Sequence, residues 1–273
     1  MLKVKRIKIA FILLFVFITI FMVMGFNTSL VVTNYIYQDS KLPAEFEGFR
    51  IVFLSDFHCK PFGNRQETLI KKITECNPDI IVITGDAIDS THNDLTQVSA
   101  LLSGIKDLCP IYAISGNHEF DDWQLFQQLK DTYRTYGVVF LDDSYVTISI
   151  GDASIGLYGA RYQGKYYTNE IKAHTATNTK FNILLAHDAS EFQATSLFGY
   201  NLILSGHTHG GIVRLPLIGG LINNNGSFFA EYDSGPYQLN GSTLISNRGL
   251  GDSVLPRFYN RPEVVCITLE QLY

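Results

Sequence analysis

Five short apolar runs, each closed by a residue able to hold a metal, constrain this chain more than any other feature. Residues 51–55 run into Asp56, Phe57 and His58. Residues 80–85 run into Asp86, and residues 111–116 into Asn117, His118 and Glu119. Residues 182–186 end on His187, and residues 201–206 on His207, Thr208 and His209. Short β-branched runs closed by glycine read as buried strands. Ligands at the ends of several strands converge on one crevice at a sheet edge. Of the seven histidines, five occupy these ends, and only His92 and His174 lie elsewhere. Histidines scattered through core or surface would not choose one kind of position so consistently. The pattern implies two metal ions and hydrolysis.

The intervening segments supply the rest of an α/β fold. Residues 66–76 place Leu69, Ile70 and Ile73 at helical spacing, and Asn77 and Pro78 stop the pattern. A weaker helix is expected over 95–103. A stronger one covers 121–133, with Asp121 and Asp122 at its start and Trp123, Phe126 and Leu129 on one face. Helices alternating with the first three strands are a βαβ signature. After Gly137 the texture changes to short strands over 138–141, 145–150 and 154–158, split by turn residues. Residues 210–240, rich in Gly, Asn and Pro, read as a long loop with short strands. Residues 243–246 and 263–269 read as closing strands, and 31–47 as a connector ahead of the first strand. The sum is two packed sheets with helices outside.

Charge and hydropathy narrow the setting. The formal net charge is −5, and leaving out Lys3, Lys5, Arg6 and Lys8 at the N-terminus brings the remainder to −9. An acidic body does not suit broad nucleic-acid binding, which needs phosphate-neutralising Lys and Arg. Residues 9–26 form an uncharged, almost wholly apolar stretch. Its length is near the lower limit for crossing a bilayer, about 17 to 25 residues. No small-residue cleavage site follows it, as a signal peptide would require. The expectation is a cytoplasmic basic tip and membrane anchor over 1–33 and a catalytic domain over 34–273. Basic residues before the span hold the N-terminus inside, so the body lies outside the cytoplasm in a single-pass arrangement. The four cysteines make no C-x-x-C pair, and Cys59 reads as a space-filler beside His58.

At the strand ends, Asp56 and His58 form D-x-H. In extended backbone, positions i and i+2 face one way and grip one ion. Asp86 and Asp89 form G-D-x-x-D; the first carboxylate has two oxygens with which to bridge metals, and the second orients a neighbour. Asn117 offers a neutral amide oxygen, which leaves His118 free to donate a proton. Around His207 and His209, glycines permit close backbone approach.

The ordered set D-x-H, G-D-x-x-D, G-N-H-E, a lone His and G-H-x-H resembles the calcineurin-like metallophosphoesterase family, in its bacterial membrane-anchored branch. The resemblance covers most of residues 50–270. It implies a four-layer αββα sandwich of two mixed sheets flanked by helices, here with an N-terminal transmembrane helix. It also implies that Asp56, His58, Asp86 and His209 hold one divalent ion. Asp86, Asn117, His187 and His207 would hold the other. His118 would act as general acid oriented by Asp89, with Glu119 behind the ligands. Mn or Fe is favoured, and Zn is compatible with the same N/O donors. A hydroxide between ions about 3.5 to 4 Å apart would attack phosphorus in line. Arg214, Arg248 and Arg257 are candidate substrate contacts, with surface or fold-closing roles equally open. The expected function is a phosphodiesterase acting on a phosphorylated small molecule or an envelope lipid. The alternatives are a UDP-2,3-diacylglucosamine-type pyrophosphohydrolase and a non-catalytic envelope-binding protein.

Overall fold

A computed structural model describes residues 2–162, 179–223, 226–229, 231–252 and 255–273. His174 falls outside the described residues. The chain opens with helix α1 (Leu2–Gly25), whose apolar side chains from Val4 on are mostly exposed and which is long and apolar enough to cross a membrane. Among the described residues, the remaining α-helices are α2 (Glu67–Glu75), α3 (Leu95–Ile105), α4 (Trp123–Thr135) and the single turn α5 (Phe192–Thr195).

Among the described residues, twelve strands build two six-stranded sheets. The first sheet runs β1 (Val31–Asp39), β14 (Glu263–Gln271), β2 (Arg50–Leu54), β3 (Ile80–Thr84), β4 (Ile111–Ile114), β5 (Val139–Phe140) in spatial order. The second runs β12 (Gly235–Leu239), β13 (Ser242–Ser246), β9 (Leu202–Gly206), β8 (Asn182–Asp188), β7 (Ala153–Gly159), β6 (Ser144–Ile150). Both are mixed: β2 to β5 are parallel with β14 antiparallel to β2, and β13, β9, β8 and β7 are parallel with β6 and β12 antiparallel at the edges. A separate hairpin joins β10 (Val213–Leu215) to β11 (Gly219–Ile222).

The period-2 alternation of side chains decides the layers. Ile51, Phe53, Ile80 and Val82 of the first sheet face Ile155, Leu157, Ile183, Leu185, Leu202 and Leu204 of the second in one buried cluster. The alternate residues Val52, Leu54, Ile81 and Ile83 face outward against Leu69, Ile73, Val98, Leu101 and Leu129 of α2, α3 and α4. On the far side, Leu184, Ile203 and Leu244 are covered by Phe192 and Ala189. The fold is therefore helix, sheet, sheet, helix, as the resemblance implies.

One segment departs from the sequence pattern. Residues 31–39 of the expected connector form a strand instead. β1 pairs in parallel with β14 along its whole length, Val31 opposite Glu263 and Asp39 opposite Gln271. The expected boundary after residue 33 thus falls within a strand, where Thr33 Oγ1 donates to Glu263 Oε2 at 2.7 Å. A partner over two hundred residues away leaves no local signature.

Candidate metal centre

All five ligand-bearing runs end at one edge of the sandwich. β2, β3 and β4 deliver Asp56, His58, Asp86, Asn117 and His118, while β8 carries His187 and β9 leads into His207 and His209. Close approach of the two sheets needs glycine. A Cβ on Gly85, whose φ is +90°, would collide with the Gly116 backbone, and one on Gly116 would strike Asp86 Oδ1 and lie 2.7 Å from His187 Cε1.

Two donor clusters result. Asp56, His58 and His209 form one, and Asp86, His187 and His207 the other, each with ligand atoms within 4.8 Å of one another. Asp86 Oδ2 lies 3.3 Å from His187 Nε2 and 3.9 Å from His58 Nε2, so a single carboxylate oxygen faces both clusters. Asn117 Oδ1 lies 3.0 Å from His187 Nε2, and His207 Nδ1 3.1 Å from the same nitrogen. His209 Nε2 stands 3.8 Å from Asp56 Oδ1.

The donors fit a pair of cations. His58 Nδ1 bonds Asp89 Oδ2 at 2.9 Å, while His58 Nε2 is buried without a protein hydrogen-bond partner. His187 Nδ1 donates to Thr84 O at 2.8 Å, which turns Nε2 toward Asp86. Burial opposes charge on His187, yet the Asp86 carboxylate lifts its ring to about 10. Burial likewise opposes charge on Asp86, and His187 nevertheless holds it well below the usual carboxylate range. The crevice thus favours positive charge against Asp86. Oxygen and imidazole donors without thiolate suit Mn, Fe or Zn.

The backbone here is strained. Asp56, His58, Asp86, His207 and His209 all have positive φ, between 46° and 69°. Such residues are uncommon outside glycine and cluster at functional sites. The D-x-H pair is therefore not extended; two left-handed residues, rather than strand alternation, bring Asp56 and His58 together. Glu119 braces these turns: its buried carboxylate accepts from Asp86 N, Ala87 N and Gly116 N at 2.9, 2.7 and 2.7 Å. Burial, then the charge of Asp86, pushes Glu119 up to about 7.

His118 sits beside the clusters, its ring 5.3 Å from that of His58 and its backbone N–H donating to Asp86 Oδ1 at 2.9 Å. The resemblance implies that Asp89 orients His118, and the structure gives each a different partner. Asp89 holds His58 and His92, whereas Asp121 Oδ2 holds His118 Nδ1 at 2.6 Å. Asp122 caps α4 by accepting from Leu125 N, which leaves Asp121 free to turn back to His118.

The three arginines make the fold-closing contacts that the sequence left open for them. Arg214 pairs with Asp233 at 2.8 Å and donates to Gly210 O. Arg248 pairs with Glu263 at 2.5 Å. Arg257 is buried and donates to Arg248 O, Gly249 O and Gly251 O. Each guanidinium closes a loop. Gly251 N in turn donates to Asp56 O, so Arg257 braces the turn beneath a ligand. Cys59 is buried and free, and burial pushes its thiol up to about 12, which removes it as a nucleophile.

Two neighbours escape the sequence pattern. The Tyr162 ring stands edge-on to His187 at 5.7 Å and tilted over His207 at 6.2 Å. Asp188 Oδ2 lies 3.9 Å from His207 Nε2. Asp188 directly follows a ligand, a signal the sequence carries; Tyr162 follows no motif.

Comparison with known proteins agrees with this geometry. A family model described as calcineurin-like phosphoesterase matches residues 49–211. An uncharacterized metallophosphoesterase, YkuE, of Bacillus subtilis is 31% identical over 252 residues, covering 87% of this chain and 85% of its own. Phosphodiesterase YaeI of Escherichia coli is 26% identical, covering 81% of this chain and 82% of its own. A zebrafish (Danio rerio) transmembrane protein with a metallophosphoesterase domain is 29% identical, covering 85% of this chain and 55% of its own. With the family's ligand types gathered in two clusters around one shared carboxylate, the chain belongs to the calcineurin-like phosphoesterase family and is a metal-dependent phosphoric ester hydrolase.

Proposed function

We propose that the protein is a membrane-anchored phosphodiesterase whose catalytic body faces away from the cytoplasm. The observation that carries the catalytic part is the position of Asp86 between two donor clusters, with His118 at their side. A pair of divalent cations held there would supply positive charge to phosphoryl oxygens and lower the pKa of water toward neutrality. Asp56, His58, Asp86 and His209 would hold one cation, and Asp86, Asn117, His187 and His207 the other.

The chain's own residues do the rest. Asp121 only accepts, so His118 Nδ1 carries a proton toward it and Nε2 is left for the substrate. Donation from Nε2 to the leaving oxygen uses the doubly protonated ring, whose charge Asp121 offsets. Glu119 fixes the Asp86 and Gly116 turns, and Tyr162 flanks the second cluster. The likeness to phosphodiesterase YaeI supports a diester substrate. Helix α1 and the likeness to a transmembrane relative support anchoring, and the basic residues before the span support an exported body of which α1 is the anchor.

The test is a substrate panel with the Mn-loaded protein. Bis-p-nitrophenyl phosphate should turn over faster than p-nitrophenyl phosphate and a UDP-linked diacyl sugar. Preference for either of the latter two overturns the diester assignment. A reporter active only outside the cytoplasm, fused after Tyr273, should be active; silence there with activity of a cytoplasmic reporter reverses the topology.

A further inference from the structure

Helix α1 is fastened to the body by the loop that precedes β14. The Phe258 ring packs edge-on to Phe21 at 5.8 Å and Phe26 at 5.0 Å. Tyr259 N donates to Gly25 O at 2.6 Å, and Tyr259 Oη donates to Phe21 O at 2.9 Å. The β10–β11 hairpin is fastened to the same loop. Arg214 N donates to Phe258 O at 2.9 Å, and Phe258 N donates to Ile212 O at 3.3 Å.

This hairpin carries an unusual surface. Residues 215–222 read Leu-Pro-Leu-Ile-Gly-Gly-Leu-Ile, with no charge. Leu217 at the turn is wholly exposed and Ile218 is 62% exposed. Phe228 and Phe229, 72% and 70% exposed, join the same unit, for Phe228 bridges to Ile222 and Phe229 N donates to Leu221 O. Elsewhere on the body, similarly exposed residues such as Ile36, Trp123 and Leu197 sit on separate elements. Single apolar residues on a surface are ordinary, whereas a contiguous group marks a contact with something apolar. From Val213, opposite Phe258, the tip at Leu217 is four residues on, so it lies within about 14 Å of Val213, which bridges to the loop that grips the end of α1.

On the reading of α1 as a membrane anchor, we propose that the β10–β11 tip and the Phe228–Phe229 pair insert into the leaflet that receives the C-terminal end of α1. The occupant is the bilayer, because the apolar patch continues directly from the anchor contact. Interfacial insertion of this kind buries apolar side chains about 5 to 10 Å deep, at the headgroup–acyl boundary. Aromatic side chains such as Tyr259, beside the last turns of α1, match the residues that line that boundary. The consequence is orientational. The hairpin begins four residues after His209, on the loop that brings His207 to one cluster and His209 to the other, and Arg214 ties it back to Gly210 O at 2.6 Å. Two attachments, α1 and the hairpin, then hold the metal centre at a fixed attitude to the membrane surface instead of letting the body swing on one tether.

The test uses the full chain in vesicles of phosphatidylcholine and phosphatidylglycerol, with and without phosphatidylcholine brominated near the headgroup end of its acyl chains. The sole tryptophan is removed by Trp123→Phe, and one reporter is introduced at a time. Phe229→Trp and Leu217→Trp should each lose about half or more of their emission in brominated vesicles. Leu272→Trp should lose none, because Leu272 bonds Asp39 at the end of β1 remote from the anchor. Phe15→Trp, within α1, reports the anchor itself. Quenching of Phe15→Trp with both hairpin reporters unquenched overturns the proposal while leaving the anchor intact. An unquenched Phe15→Trp overturns it by removing the anchor. Hairpin reporters that ignore bromine but shift to the blue as the protein-to-lipid ratio rises also overturn it, in favour of a second copy of this chain.

Discussion

Asp89 and Asp121 each hold a different histidine, so their removal should damage the enzyme in two different ways. Asp89 Oδ2 bonds the buried His58 at 2.9 Å, and its other oxygen accepts from Thr91 N and His92 N. Asp89→Asn keeps the shape but withdraws the charge that makes His58 a stronger donor. Loss of such an outer partner costs about 10- to 100-fold in metal affinity. Turnover at saturating metal should stay close to that of the wild type. Asp121 bonds His118 at 2.6 Å, but the two side chains are 43% and 38% exposed. Water screens the pair, so Asp121→Asn should cost no more than about 1 kcal/mol, about five-fold in kcat. Metal affinity should not move. His118→Asn sets the scale, with an expected loss of about 10² to 10⁴ in turnover and little loss of metal. The assay is kcat against free Mn concentration, measured on diesters with good and poor leaving groups. The Asp121 and His118 effects should grow with poorer leaving groups, and the Asp89 effect should not. If Asp89→Asn lowers kcat at saturating metal with unchanged affinity while Asp121→Asn is silent, the assignment of orienting partners is wrong.

Asp86→Asn should lower bound metal below two equivalents in elemental analysis, because this carboxylate alone faces both clusters; two full equivalents would remove the bridging assignment. Arg257→Met strands three backbone carbonyls in a buried turn and should destabilise the protein by about 3 kcal/mol, read as a lower midpoint in chemical denaturation. Asp142 is pushed up to about 6 by burial, despite accepting from Ser115 N and Oγ, with Asp143 raising it further and Arg161 opposing. The folded state therefore binds this proton more tightly than the unfolded chain, and the group's contribution is present below about pH 4 and lost as pH rises through 6. Asp142→Asn should flatten that loss, by at most about 3 kcal/mol between pH 4 and 7, in the difference between wild-type and variant unfolding curves.

The sequence by itself determined where the chemistry lies. Each of the five runs pairs a buried strand with the residue at its end, and both signals are local: β-branched runs, a glycine, then a donor. Residues such as Ile80 to Thr84 must be buried on both faces, so Asp86 had to emerge at a sheet edge. The three long amphipathic helices of the body were legible for the same reason, from apolar positions a turn apart.

What needed the tertiary structure were contacts made across distance and the sign of φ. Strand alternation brings Asp56 and His58 to one side only in extended backbone, yet both are left-handed here. No periodicity reports that. Asp121 stands three residues after His118 and Asp89 twenty-nine before it, and only the folded turns decide that Asp89 reaches His58 and Asp121 reaches His118. The charge of Arg257 suggests an anion, but its surroundings are carbonyls of a loop closed from another part of the chain. β1 looked like a tether because its partner, β14, lies at the opposite end of the sequence. Local composition fixes which side chains are available; long-range strand pairing and backbone handedness decide which of them meet.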